Sequence, residues 1–256
     1  MALKELTLFG EVDRVEIAIN RIKRYEPPEG YYLAFSGGKD SVVIYELAKM
    51  SGVKFDAHYN NTTIDPPELV HFIRKYYPDV QEHRPKYSFR KLLLKHSSFP
   101  LRHSRFCCEY LKEYGGIGRL VMTGIRWQES SRRKSRKLFE KSKRYNKTFL
   151  HPIIDWDTSE IWEFIKKFNL PYCSLYDNGF ARIGCVLCPM QTVANKKRDI
   201  ERYPKQAENI KRVFVALYDK YNYRPSYRRW KSGEEMFDWW ISGKRIEESN
   251  NDLFIN

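Results

Sequence analysis

The chain has 256 residues, 42% apolar and 15% aromatic, enough for one substantial core with or without an appended helical part, and too apolar for a disordered chain. No apolar run approaches ~18 residues, so no membrane-spanning helix is expected; the opening "MALKELTLFGEVDRVE" has acids and no long apolar stretch, which reads as cytoplasmic rather than secreted. The excess of 46 Lys and Arg over 32 Asp and Glu, a net +14, suits a polyanionic partner without distinguishing nucleic acid from nucleotide phosphates.

In chain order, residues 13–25 read as an amphipathic helix ended by "EPPEG". "YYLAF" is a short buried strand, "SGGKD" a loop, and "SVVIYELAKM" a helix. A second strand is expected at 53–59 and a helix at 68–77; "GRLVMTGIR" is a further strand running into a loop. Asp157 caps the helix "TSEIWEFIKKF", with Glu160 at the third position and Ile161, Phe164, Ile165 and Phe168 on one face. From about residue 195 the pattern is helical, basic and aromatic. Strands alternating with helices predict an α/β fold, a doubly wound, mostly parallel sheet with a helical C-terminal extension. The expected division is residues 1–194 as nucleotide-binding domain and 195–256 as an extension packed on it.

The loop after "YYLAF" carries the clearest chemistry. Gly37 and Gly38 let backbone N–H groups turn toward an anion with no Cβ in the way, and the following helix adds its positive end. Ser36 and Ser41 supply hydroxyls and Lys39 a mobile cation. With Asp40, "SGGKDS" forms a compact cradle for a polyphosphate. "GIRWQESSRR" puts Arg126, Arg132 and Arg133 near a loop that follows a strand, where forked guanidiniums suit phosphate or sulfate oxygens.

Five cysteines, Cys107, Cys108, Cys173, Cys185 and Cys188, are expected as thiols. Cys107–Cys108 and the C-x-x-C of Cys185 and Cys188 are enough for one tetrahedral zinc or for a cubane cluster. Zinc favours paired C-x-x-C knuckles, whereas a cluster offers the separated positions an adjacent pair needs.

"SGGKDS" resembles the PP-loop of the ATP pyrophosphatase superfamily. "RFCCEYLK", "GIRWQESSRR", "HPIIDWDTSEIW" and "LPYCSLYDNGFARIGCVLCP" resemble, in the same order, the iron–sulfur sulfonucleotide reductases of the phosphoadenylylsulfate reductase family. The resemblance implies an adenine nucleotide alpha hydrolase-like fold that binds ATP or an adenylyl sulfate, with Mg²⁺. Phosphate contacts would come from Ser36, Gly37, Gly38, Lys39, Ser41, Gly124, Arg126, Arg132 and Arg133. Lys39, Asp40 and Arg126 are the catalytic candidates, Asp40 positioning the loop or Mg²⁺. Thr62 and Thr63, in "NNTTIDPPE", would approach the adenosine. The resemblance also implies a [4Fe–4S] cluster on Cys107, Cys108, Cys185 and Cys188, with zinc as the alternative. His58, His103 and Cys173 read as packing or surface residues.

Reductases of this family attack sulfur with a cysteine in a C-terminal E-C-G-[LI]-H pattern, and no cysteine follows Cys188 here. Relatives that install phosphorothioates in DNA, and PP-loop enzymes that thiolate tRNA, instead use ATP to adenylate an oxygen that sulfur replaces. The expected function is therefore ATP-dependent activation of an acceptor, DNA or tRNA, for sulfur from a donor protein. Sulfonucleotide reduction with an external thiol is the alternative, and a non-catalytic nucleotide or nucleic-acid binding module the third. The ten Lys and Arg of residues 126–147, against Glu129 and Glu140, and the tail's "YNYRPSYRRWK" are the expected nucleic-acid contacts.

Overall fold

A computed structural model describes residues 3–7, 10–142 and 146–244. Its elements are β1 (Lys4–Thr7), β2 (Gly10–Asp13), α1 (Arg14–Arg24), β3 (Tyr31–Ala34), α2 (Lys39–Ser51), β4 (Phe55–Asn60), α3 (Pro67–Tyr76) and β5 (Gln81–His83). There follow α4 (Phe89–His96), α5 (Phe106–Leu111), β6 (Leu120–Met122), a 3-10 turn (Trp127–Glu129), α6 (Ser131–Lys134), β7 (Phe139–Ser142), β8 (Lys147–Leu150) and α7 (Thr158–Lys167). The last three helices are α8 (Val193–Arg202), α9 (Pro204–Tyr221) and α10 (Gly233–Ser242). The chain divides into two compact units, Met1–Lys86 with Cys108–Gly184 and Tyr87–Cys107 with Cys185–Asn256.

The first unit is the expected α/β fold. Six strands lie in the order β5-β4-β3-β6-β8-β7, parallel except for β7, which pairs antiparallel with β8. β4 lies on one side of β3 and β6 on the other, so the strand order reverses beside β3. In open α/β sheets ligands bind at such a switch point, beyond the carboxyl ends of the strands. The glycine loop leaves β3 and the Gly124–Arg126 segment leaves β6 at that place.

Alternation along the strands sorts the two sheet faces. Tyr31, Leu33 and Phe35 face the apolar core with Ala57 and Tyr59, under Val15, Ala18 and Ile22 of α1, most of α2, and Ile161, Phe164 and Ile165 of α7. The Tyr31 hydroxyl donates to the Ile22 carbonyl at 2.7 Å, satisfying a buried polar group. Tyr32 faces the other way, stacked on His58 at 3.9 Å between ring centroids; His58 in turn bonds His83 and Asp56, and Arg119 pairs with Asp56. Residues 115–116 cover Tyr32 closely, since a Cβ on Gly115 would overlap the Tyr32 hydroxyl.

α7 begins as its sequence requires. Asp157 Oδ1 accepts the Glu160 amide at 2.9 Å and Glu160 Oε2 accepts the Asp157 amide at 2.6 Å, a capping box. Arg21 holds both oxygens of Asp155, at 2.6 and 2.9 Å, and the Pro152 carbonyl, tying α1 to the approach of α7.

The second unit is helical among its described residues. Phe214 of α9 packs against Phe99, Phe237 and Trp240, and the Trp240 indole donates to the Pro100 carbonyl at 2.7 Å. Tyr87–Cys107 and the C-terminal helices thus build one core from distant stretches of chain. No helix of the described residues is long and apolar enough to cross a membrane.

Candidate anion site at the glycine loop

The residues from Ser36 to Ser41 fold as a tight loop entering α2. Gly37 has φ +70° and faces Leu69 and Ile73 so closely that a Cβ would lie 2.6 Å from Leu69 Cδ1, so glycine is required twice over. Gly38 is the N-cap of α2 without a capping side chain of its own; Tyr176 takes the Lys39 amide, and the next first-turn amides stay directed at whatever occupies the loop. Ser36 Oγ lies 3.3 Å from Ser41 Oγ, and Ser41 donates to the Gly38 carbonyl at 2.8 Å. The Lys39 stem is buried, and its ammonium is 3.2 Å from Asp40 Oδ2 and over the Tyr176 ring.

Asp40 is held from both sides. Its Oδ1 accepts from Arg126 Nε at 2.6 Å while Lys39 faces Oδ2. Gly124 makes this approach possible, because a Cβ there would sit 2.9 Å from the Asp40 carbonyl carbon and oxygen.

Arg126, expected at the anion, is bonded to protein groups. Only 1% exposed, it gives its remaining nitrogens to the Trp156 carbonyl at 3.2 Å, Gln128 Oε1 at 3.3 Å and Thr158 Oγ1 at 3.4 Å. A guanidinium so committed orients Asp40 and ties the β6 loop to the start of α7. Both oxygens of Asp40 thus face cations.

The exposed cations lie further along. Arg132 is exposed; Arg133 is half-buried, pairs with Glu129, and is pushed down to about 10 by burial and then by the neighbouring Arg182. Asp40 works against that shift, while Arg136 and Arg126 add to it, so the loop carries a surplus of positive charge. Arg182 was not singled out from sequence, and neither was Tyr176. The Tyr176 hydroxyl accepts the Lys39 amide at 2.9 Å across 137 positions of chain, and burial pushes its pKa up. No local signal marks either one; only the fold of residues 173–182 against the loop does.

Thr62 is 1% exposed in a turn where Asp65 Oδ2 accepts its amide at 2.9 Å, while Thr63 is exposed with φ +67°. Thr63 is thus the one of the pair whose side chain faces solvent. Of the basic run at 126–147, residues 143–145 lie outside the described residues. Arg126, Arg133, Arg136 and Lys147 are engaged with protein groups, and Arg132, Lys134, Lys137 and Lys141 are exposed.

Cys107, Cys173 and Cys185 are buried, Cys173 in the first unit's core, and Cys108 and Cys188 are half-buried. Cys185–Cys188 forms a turn, with the Cys188 amide on the Cys185 carbonyl at 3.3 Å and Leu187 at φ +54°. Buried Asp199 fixes it by accepting the Leu187 amide at 2.9 Å. The turn resembles half of a metal knuckle. Yet among the described residues no three His, Cys, Asp or Glu side chains gather as a metal site, and Cys108 belongs to a different unit from the other three. The donor chemistry suits a cluster; the described geometry does not assemble one.

Residues 30–191 match the model of the phosphoadenosine phosphosulfate reductase domain family. A protein of Methanocaldococcus jannaschii is 29% identical over 222 residues, covering 77% of this chain and 51% of that protein, so the chain spans about half of it. The adenosine 5'-phosphosulfate reductase of Oceanobacillus iheyensis is 25% identical, over 62% of this chain and 70% of the enzyme. Among solved structures, phosphoadenylyl-sulfate reductase from Candida auris, a phosphate complex, superposes with a TM-score of 0.52 at 20% identity, covering 67% of this chain and 89% of that one. The FMN adenylyltransferase of Candida glabrata superposes with a TM-score of 0.50 at 15% identity, over 73% and 71% of the two chains, so the fold is shared with that protein as well. The match of the family model across the sheet, the glycine loop and the C-x-x-C turn makes this chain a member of the phosphoadenosine phosphosulfate reductase domain family.

Proposed function

We propose that the chain is a PP-loop ATP pyrophosphatase that adenylates an acceptor so that sulfur can replace the activated oxygen. The observation that carries this reading is the cradle itself: a glycine loop ending on uncapped helix amides, with Lys39 inside it and Arg133 and Arg182 beside it. Such a site holds the terminal anionic groups of an adenine nucleotide, and Mg²⁺ would arrive on those phosphates, since it dehydrates reluctantly and shares its coordination with them. ATP rather than an adenylyl sulfate is favoured because Cys173, the cysteine outside the proposed cluster set, is buried in the core and not placed to attack sulfur from solvent. Adenylation makes AMP the leaving group in place of a poor oxygen one. The chain's own part is to bind and orient the nucleotide: Gly37, Gly38, Lys39 and Ser41 at the anion, Asp40 and Arg126 behind the loop, and Thr63 toward the nucleoside.

Cys107, Cys108, Cys185 and Cys188 are proposed to hold a [4Fe–4S] cluster, which would supply sulfur chemistry when bound. Support comes from the donor set and the fixed Cys185–Cys188 turn. Anaerobic purification followed by iron and sulfide analysis tests this, and a colourless protein with stoichiometric zinc would defeat it.

A nucleic-acid acceptor is supported by the second unit's charge. Tyr87–Cys107 and Lys220–Lys231 each hold five Lys or Arg and no acid, and the Tyr227 hydroxyl joins them by donating to the Ser97 carbonyl at 2.9 Å. Exposed Tyr223, beside Arg224, offers a stacking face. Binding should weaken with salt and on charge removal at Arg228 and Arg229, and less so at Arg132 and Lys134.

The product assay for the whole reading supplies ATP, adenylyl sulfate or phosphoadenylyl sulfate, with a thiol donor, to the anaerobically reconstituted protein. Pyrophosphate from ATP supports adenylation. Sulfite without ATP cleavage would make the chain a reductase.

A further inference from the structure

We propose that the Tyr176 hydroxyl donates a hydrogen bond to the anion in the glycine loop, an assignment that rests on reading the loop as an anion cradle. The helix N-terminus alone would not single out this residue. Three observations do.

The first is how the hydroxyl's bonding is used. It accepts the Lys39 amide at 2.9 Å, and among the described residues its own hydrogen meets no acceptor. A phenol has one hydrogen to donate, and the half-buried Tyr176 leaves it open to an acceptor in the loop. An acceptor placed over the loop would be within its reach.

The second is position. A Cβ on Gly38 would lie 3.4 Å from the hydroxyl oxygen, so that oxygen stands directly over the second glycine. The ring also carries the Lys39 ammonium 5.6 Å from its centroid. An oxygen bound by the first-turn amides and Lys39 would therefore reach Tyr176 as well.

The third is rigidity. The Trp162 ring meets Tyr176 edge-on at 5.1 Å, and the Tyr176 and Phe180 amides bond the Cys173 and Leu175 carbonyls, both at 3.1 Å. Cys173, Leu175 and Phe180 are in the core. The hydroxyl is thus a fixed wall of the cradle rather than a group that must swing into it.

The chemistry suits the task. A hydroxyl that accepts from a peptide N–H becomes a better donor through the chain of bonds. Burial keeps the phenol protonated, and Arg182, which opposes that shift, adds positive charge on the same side. The helix amide, the tyrosine and the anion would form one relay, so the loop reads the anion through a side chain as well as through its backbone. A different role is conceivable on the same geometry, in which the hydroxyl only plugs the amide until an anion displaces it. The two roles predict opposite signs.

The experiment is calorimetric titration of the full chain with inorganic pyrophosphate. Tyr176→Phe keeps the ring, the Trp162 contact and the cation contact, and removes only the hydroxyl. A hydrogen bond to an anion lost in this way should weaken binding about tenfold or more. Tighter binding by Tyr176→Phe would show a plug and overturn the proposal; unchanged binding would show a wall without a bond and overturn it too. Replacement of Tyr176 by 3-fluorotyrosine, a stronger donor of nearly the same shape, should tighten binding, which keeps the test decisive if the phenylalanine variant folds poorly. Lys39→Ala is the control for the cradle. If the wild-type chain does not bind pyrophosphate, or Lys39→Ala binds it equally well, the cradle reading itself fails and the tyrosine assignment with it.

Discussion

Replacing Arg126 by lysine separates a supporting role from a ligand contact. Arg126 is buried, its Nε is 2.6 Å from Asp40 Oδ1, and its other nitrogens reach Trp156, Gln128 and Thr158. A lysine has one compact charge and cannot span these partners. The variant leaves the Trp156 carbonyl short of a donor and Asp40 dependent on Lys39. Breaking one member of a buried, hydrogen-bonded ion pair costs about 3–5 kcal/mol; the charge retained by lysine keeps the expected loss near the lower end, about 3 kcal/mol. At about 2–4 °C per kcal/mol for a chain of this size, the melting midpoint should fall by about 6–12 °C. Urea unfolding gives the stability, and titration with pyrophosphate, done well below the transition, gives the affinity. If Arg126 only positions Asp40, affinity at full folding should change by no more than about threefold. A loss of thirtyfold or more with an unchanged unfolding midpoint would mean that Arg126 touches the ligand, and would refute the assignment.

Three further outcomes follow from the same contacts. His151 is fully buried, bonded to Thr123 Oγ1 at 2.7 Å, and held down to about 4 by burial, then by Arg136, against the opposing Glu140. The unfolded chain, with an ordinary histidine near 6.5, therefore takes up a proton first, so stability should fall as pH drops from about 6.5 toward 4, by about 3 kcal/mol in all; His151→Gln should flatten that part of the urea-midpoint profile, and an unchanged slope would assign it to other groups. Burial pushes the Asp155 carboxyl up, but Arg21 and then Arg14 outweigh it and hold it below the usual range; its contribution is thus present at neutral pH and lost as pH falls through the folded value. Asp155→Asn should cost about 2 kcal/mol at pH 7, with the difference from wild type vanishing once pH has fallen below the folded value. Gly124→Ala should push the β6 loop off the Asp40 backbone and cost about 2 kcal/mol while weakening pyrophosphate binding, whereas an unaffected variant would show that the loop has room.

Local signals in the sequence marked the elements that local forces determine. The apolar run before Gly37 could only be a buried strand, and its glycines only a turn into α2. Asp157 and Glu160 satisfy each other's amides across three residues, which made the start of α7 readable. What escaped depends on contacts between distant positions. The burial of Arg126 follows from Trp156 and Thr158 closing over it, 30 and 32 positions away, and a lone arginine in a basic run carries no sign of that. The basic run was read as nucleic-acid contacts, yet part of it forms β7, paired antiparallel with β8, and several of its cations bond protein groups. The contribution of Tyr87–Cys107 to the second core was also illegible, because its partners Phe214 and Trp240 come more than a hundred positions later.

The central claim is that Gly37–Ser41 holds the phosphate end of an adenine nucleotide. The most direct measurement is a crystal structure of the chain soaked with the α,β-methylene analogue of ATP, which cannot be cleaved between those phosphates. The account predicts β- and γ-phosphate oxygens within hydrogen-bond distance of the Asp40 and Ser41 amides, the Lys39 ammonium and the Tyr176 hydroxyl. Phosphates lying outside the loop, with nothing over Gly38, would contradict it.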